Sequence, residues 1–239
     1  SLANLYENQG RYSEAEPLLH QALEMRQRLL GDEHPDVALS LNNLANLYEN
    51  QGRYSEAEPP LHQALEMRQR LLGDEHPDVA QSLNNLANLY KNQGRYSEAE
   101  PLLHQALEMR QRLLGDEHPD VAQSLNNLAN LYKNQGRYSE AEPLLHQALE
   151  MRQRLLGDEH PDVALSLNNL ANLYKNQGRY SEAEPLLHQA LEMRQRLLGD
   201  EHPDVALSLN NLANLYKNQG RYSEAESLLG RALDQKPSF

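Results

Sequence analysis

Residues 35–76 read PDVALSLNNLANLYENQGRYSEAEPPLHQALEMRQRLLGDEH, and the rest of the chain is this stretch over again. The segment Gln-Gly-Arg-Tyr-Ser-Glu-Ala-Glu carries its glycine at Gly10, Gly52, Gly94, Gly136, Gly178 and Gly220, in steps of 42 residues. A second glycine follows the same step at Gly31, Gly73, Gly115, Gly157 and Gly199. Five full periods and part of a sixth fill the 239 residues, which leaves almost no room for a separate domain. The equal totals of 12 Gly, 12 Pro and 12 Tyr are the trace of that repetition.

Each period encodes two helices. The first is expected from Pro35 to Asn50. Proline suits the first helical position, where its missing N–H costs nothing, and Asp36 complements the positive end of the helix. Val37, Ala38, Leu41, Leu44, Ala45 and Tyr48 then recur at three- and four-residue steps and form one apolar face. Gly52 stops this helix. The second helix is expected from about Ser55 to Leu72, with Ser55 and Glu58 as a capping box. Leu61, Ala64, Leu65 and Leu72 supply its stripe, Glu66 and Arg70 a favourable spaced pair, and Gly73 the stop. Loops this short make the two helices antiparallel neighbours. One such hairpin cannot bury enough apolar surface to fold alone, so copies must stack. The expectation is an all-α solenoid of helix-turn-helix hairpins. Its units are 1–34 (partial), 35–76, 77–118, 119–160, 161–202 and a degenerate 203–239.

Asn43-Leu44-Ala45 followed by Tyr48, Gly52, Tyr54, Ala57 and Ala64 resembles the tetratricopeptide repeat. The longer second helix, through Met67-Arg68-Gln69-Arg70-Leu71-Leu72, and the Leu-Gly-x-x-His-Pro-Asp-Val-Ala linker resemble its 42-residue variant in kinesin light chains and many bacterial proteins. The resemblance covers the whole chain. It implies a right-handed superhelix that serves as a non-catalytic protein-interaction scaffold, with the first helices lining a concave groove.

In that groove the resemblance places Asn42, Asn46 and Asn50, then Asn84, Asn88, Lys91 and Asn92. Further copies supply Asn126, Asn130, Lys133 and Asn134, then Asn168, Asn172, Lys175 and Asn176, and finally Asn210 and Asn214. Asparagine costs a helix about 0.5 kcal/mol against alanine, so propensity does not account for the run. A ladder of amides, each with donor and acceptor, would grip the backbone of an extended peptide. The competing reading is a ladder that only links neighbouring helices. The copies differ mainly at two groove positions. One is Leu39, Leu165 and Leu207 against Gln81 and Gln123. The other is Glu7 and Glu49 against Lys91, Lys133, Lys175 and Lys217. The second change makes the later copies more basic, favouring an acidic segment there. Asn42 and Asn43 stand where a carboxylate clamp would need Lys or Arg.

Other chemistry is poorly supplied. There is no Cys, no Gly-rich phosphate loop and no nucleophile with a base and an orienter, so no enzyme and no cofactor is expected. Ten histidines repeat as His20, His62, His104, His146 and His188 on the second helix, and as His34, His76, His118, His160 and His202 in the linker. None shows HExxH spacing, and the linker set reads as a helix start rather than a metal site. Tyr48 and Tyr54 read as core. A formal charge of −13 with evenly spread cations disfavours nucleic acid and anionic membranes. With no apolar run of spanning length and no leader-like start, a cytoplasmic protein with a protein or peptide partner is expected.

The chain opens mid-helix, which should leave an apolar face uncovered and invites head-to-tail self-association. That makes a self-stacking structural array the alternative function. The last copy carries Ser227 for Pro, Gly230 for His, Gln235 for Met and an early Lys236-Pro237, as a capping unit would, and the chain reads as the C-terminal part of a longer protein. Pro60, in place of Leu, should make its helix start late or bend, at a cost of up to about 3 kcal/mol.

Overall fold

The computed structural model describes residues 2–234, which form α-helices joined by short turns, with no strand among the described residues. Two compact units divide at Asp116 and Glu117. The first holds α1 (Leu2–Asn8), α2 (Tyr12–Leu30), α3 (Pro35–Asn50), α4 (Tyr54–Leu72), α5 (Pro77–Asn92) and α6 (Tyr96–Leu114). The second holds α7 (Pro119–Asn134), α8 (Tyr138–Leu156), α9 (Pro161–Asn176), α10 (Tyr180–Leu198), α11 (Pro203–Asn218) and α12 (Tyr222–Asp234). Within each unit every helix packs on the next in sequence, so a second helix such as α4 is shared between its own partner α3 and the following α5. Each unit is a short α-solenoid.

The local devices explain the repetition. At the start of α3, His34 is the N-cap: its Nδ1 accepts the Asp36 N–H at 3.1 Å, which puts the proton of the neutral ring on Nε2. His76, His118, His160 and His202 do the same for α5, α7, α9 and α11. At the end of α3, Gly52 takes φ +71°, which lets the Arg53 N–H turn back to the Tyr48 carbonyl at 2.8 Å. That bond fixes where α4 begins. The helix starts at Tyr54 with Arg53 at the cap and no side-chain cap bond, so the expected capping box of Ser55 and Glu58 does not form. Glu58 is committed elsewhere, as described below.

The same bond explains Pro60. Helix α4 starts at Tyr54, just as α6 starts at the equivalent Tyr96, with cap angles of φ −85°, ψ 59° against φ −84°, ψ 61°. The expected late start therefore does not occur, because the chain enters the helix through Gly52 and Arg53, before the proline pair is reached.

The apolar faces are buried as the spacing predicts: Val37, Ala38, Leu41, Leu44, Ala45 and Tyr48 on α3, and Leu61, Ala64 and Leu65 on α4. Leu72 and Tyr54 are only half-buried, so Tyr54 is not core. Leu47, which the periodic reading passed over, is fully buried, and a leucine so buried contributes about 2–3 kcal/mol. On α1 and α2 the matching residues are uncovered. Leu5 and Met25 are each 51% exposed, where Leu47 and Met67 are 0% and 6%. Of the changes in the last copy, Gln235, Lys236 and Pro237 lie outside the described residues.

Candidate functional site

Within each unit successive hairpins are joined by one contact set that reappears from junction to junction. In the first junction the Arg53 guanidinium lies over the Tyr48 ring, 4.3 Å from its centroid, and donates to Glu16 of the preceding hairpin at 2.8 Å and to Glu56 at 2.9 Å. The Tyr48 hydroxyl meets His20 Nε2 at 3.2 Å. Arg95, Tyr90, Glu58 and His62 repeat the arrangement between α4 and α5. In the second unit Arg179, Tyr174, Glu142 and His146 do so again. Arg53 and Arg95 hold Glu16 and Glu58 below the ordinary carboxylate range by hydrogen bonding, and burial pushes the Tyr48 and Tyr90 hydroxyls up. Deeper in the junction, buried Arg68 donates to Ser82 Oγ at 2.8 Å and to the Asp78 carbonyl at 3.2 Å, while Arg152 reaches Ser166 Oγ at 2.8 Å. The second-helix histidines, the tyrosines near the ends of the first helices and the arginines of these two contact sets are thus occupied in stacking.

What remains open is the outer face of the first helices. Of the residues expected in a groove, Asn42, Asn84, Asn126 and Asn168 are buried rather than presented; Asn84 is 2% exposed. Asn168 shows what that position does: its Nδ2 donates back to the Ala164 carbonyl at 3.0 Å, and its Oδ1 accepts from Asn211 on the neighbouring α11 at 3.3 Å. In the terminal copy Asn210 is exposed instead. The next position opens out, with Asn88, Asn130 and Asn172 half-buried and Asn46 and Asn214 exposed. Asn50, Asn92, Asn134 and Asn176 are exposed at the helix ends.

The stripe that faces solvent on α5 therefore runs Gln81, Asn85, Asn88, Asn92, at steps of four, three and four residues. Sequence reasoning chose Asn84 and missed Asn85, with its equivalents Asn43, Asn127, Asn169 and Asn211. In the doublet Asn84-Asn85 only the second shares a face with Gln81, and that spacing was the available signal.

Charge lies beside the stripe. Lys91 is half-buried and donates to Asn88 Oδ1 at 3.3 Å, while Asn92 Nδ2 donates to Glu49 on α3 at 3.4 Å. Burial pushes the Lys91 ammonium down and the Glu49 carboxyl up, so both charges are partly stripped of water. The first unit thus offers Glu7, Glu49 and Lys91, and the second offers Lys133, Lys175 and Lys217. A cavity of about 210 Å³ opens between α1, α2 and α3, with Asn4, Arg26, Ser40 and Asn43 around apolar Leu18 and Ala22.

Among the described residues no group of three or more His, Asp and Glu is placed to hold a metal, and no helix is long and apolar enough to cross a membrane. The sequence pattern of the tetratricopeptide repeat matches residues 1–70, 41–112, 78–153, 120–194 and 162–238. The chain belongs to the tetratricopeptide repeat family, whose members are typically non-catalytic scaffolds for protein–protein interaction. No curated protein sequence matches it. Among solved structures it is similar to BtubC (BKLC) from P. vanneervenii, at 28% identity and a TM-score of 0.76 over 94% of this chain and 91% of that one. It is also similar to a Podosopora anserina protein described as a kinesin light chain with nearly identical TPR-like repeats. That match has 32% identity and a TM-score of 0.67 over 86% of this chain and 100% of that one. A tetratricopeptide repeat protein from Parabacteroides merdae, 19% identical with a TM-score of 0.61, shares the fold.

Proposed function

We propose that the chain is a non-catalytic scaffold that holds an extended segment of a partner protein along the outer face of its first helices. The observation that carries this reading is the division of labour among the polar groups. The second-helix histidines and the arginines of the junctions have partners within each unit, whereas Asn88 in the first unit, and Asn130 and Asn172 in the second, keep half-exposed amides on the outer faces of their helices. An amide matches the donor and acceptor of a peptide bond, so a row of them can hold a main chain with little regard to its side chains. The lysines give the second unit a preference of its own. Lys133 and Lys175 stand half-buried beside the amides, where each offers a cation to an acidic side chain of the partner.

The test is selection from a pooled library of short peptides on the whole chain. A variant carrying Asn88→Ala, Asn130→Ala and Asn172→Ala is run in parallel. The reading expects enrichment of peptides with acidic stretches on the parent chain and its loss on the variant. Equal enrichment on both chains would refute it.

A further inference from the structure

Position 81 explains one of the two differences between copies. Arg110 is 4% exposed and, as a guanidinium, can only donate, so the Gln81 amide must turn its oxygen towards it; Arg110 Nη2 meets Gln81 Oε1 at 3.0 Å. With its oxygen taken, Gln81 has only its NH2 left to offer along the helix, and it donates to Asn85 Oδ1 at 2.9 Å one turn on. Asn85 in turn has its oxygen occupied. Its Nδ2 is left with two N–H donors on the half-exposed stripe, between Gln81 and Asn88, without a protein partner among the described residues. Three side chains are thus set in one direction by a cation that cannot reverse.

The second unit repeats the chain of bonds: Arg152 Nη2 donates to Gln123 Oε1 at 3.0 Å, and Gln123 Nε2 donates to Asn127 Oδ1 at 3.0 Å. Where leucine replaces the glutamine, the amide is no longer held in this way. Beyond Leu207, Asn211 points its Nδ2 inwards, to Asn168 Oδ1 at 3.3 Å, the opposite sense to Asn85.

We infer that Arg110 and Gln81 are positioning residues that fix Asn85 as a one-way hydrogen-bond donor, and that this donor takes a main-chain carbonyl oxygen of the partner segment. The inference rests on the scaffold reading above and adds polarity to it. In both copies with glutamine the asparagine oxygen is held from within the helix, and the choice of Leu or Gln at this position decides which copies are held in this way. The Gln81 side chain is exposed and leucine stands at the equivalent position in three other copies, so replacing it with leucine leaves the packing of α5 intact.

Two measurements on the whole chain test this. The first needs no ligand: the side-chain amide NMR signals of Asn85 are compared between the parent chain and Gln81→Leu. Loss of the acceptor role at Oδ1 is expected to shift the Nδ2 pair and narrow the separation of its two protons; an unchanged pair would overturn the relay. The second uses peptides selected on the parent chain and capped at both ends, so that no terminal carboxylate can compete with main-chain carbonyls. Asn85→Asp keeps the shape and replaces the donor with an acceptor. It is expected to weaken binding about tenfold or more, and Gln81→Leu about threefold, at unchanged melting temperature. Binding undiminished in Asn85→Asp would overturn the inference alone. A parent chain that selects no peptide would overturn it together with the scaffold reading, with the NMR comparison still deciding the relay.

Discussion

The faces between hairpins and the outer face of the first helices follow opposite rules. At the junctions the molecule repeats itself closely. The histidine–tyrosine distance is 3.2 Å at Tyr48 and 3.0 Å at Tyr90, Tyr174 and Tyr216, and the deep arginine meets its serine at 2.7 or 2.8 Å in each described pair. On the outer face, neighbouring copies exchange Leu39 for Gln81 and Glu49 for Lys91. A junction contact needs its partner in the next copy, so a single change there leaves a buried group unsatisfied. On the outer face Gln81 and Glu49 do have partners, Arg110 and Asn92, but the leucine and lysine that stand at these positions in other copies show that the stack does not depend on those bonds. Stacking sets the fold, and the stripe is where copies can differ without endangering it.

The largest contrast should come from changing one residue in each region. Leu89 is wholly buried, and Leu89→Ala is expected to lower the unfolding free energy by about 3 kcal/mol in urea titration. Gln81→Leu, eight residues away on the same helix, should move the same midpoint by less than about 0.5 kcal/mol. A comparable loss from both would erase the distinction.

Pro60 sharpens the comparison inside the stack. The start of α4 is unaffected, but Pro60 still lacks the N–H that would pair with the Glu56 carbonyl. Pro60→Leu is therefore expected to stabilise the chain, by about 1–3 kcal/mol, without changing its helix content by circular dichroism. An unchanged denaturant midpoint would show that the proline costs nothing where it stands.

Acid should act on the junctions. Glu16, Glu58 and Glu142 titrate below the ordinary range because Arg53, Arg95 and Arg179 hydrogen-bond their charged forms. A folded-state pKa below the unfolded value, near 4.3, gives stability that is present above that value and is lost as pH falls through the folded one. The urea midpoint is expected to fall on acidification below about pH 4, and Arg95→Gln should shrink the fall. Glu49 has the opposite sign: burial raises its pKa, so its charge opposes folding at neutral pH, and Glu49→Gln should raise the midpoint slightly. The junction glutamates and Glu49 belong to the two different regions, and their pH profiles should separate them.

Much of this was legible in the sequence. The glycine spacing gave the period, and Pro35 with its apolar steps gave both bounds of α3, because those signals are local. The start of α4 was misjudged by one residue. Ser55 and Glu58 have the spacing of a capping box, but the Arg53 amide is drawn back to Tyr48 and Glu58 is claimed by Arg95 of the next hairpin. That claim comes from a residue 37 positions away, which no local pattern contains. The candidate site was legible in composition and blurred in register. Asparagine doublets announced a polar face, yet which member of Asn84-Asn85 sinks into the stack depends on the neighbouring helix.

The central claim is that the amides of the outer face serve a ligand and not the fold. It is tested most directly by measuring denaturation and peptide binding together on the chain with Asn88, Asn130 and Asn172 changed to alanine. The account predicts a denaturant midpoint equal to or slightly above that of the parent, since alanine favours a helix by about 0.5 kcal/mol per site, with peptide binding lost. A lowered midpoint with binding retained would assign these residues to the stack and contradict it.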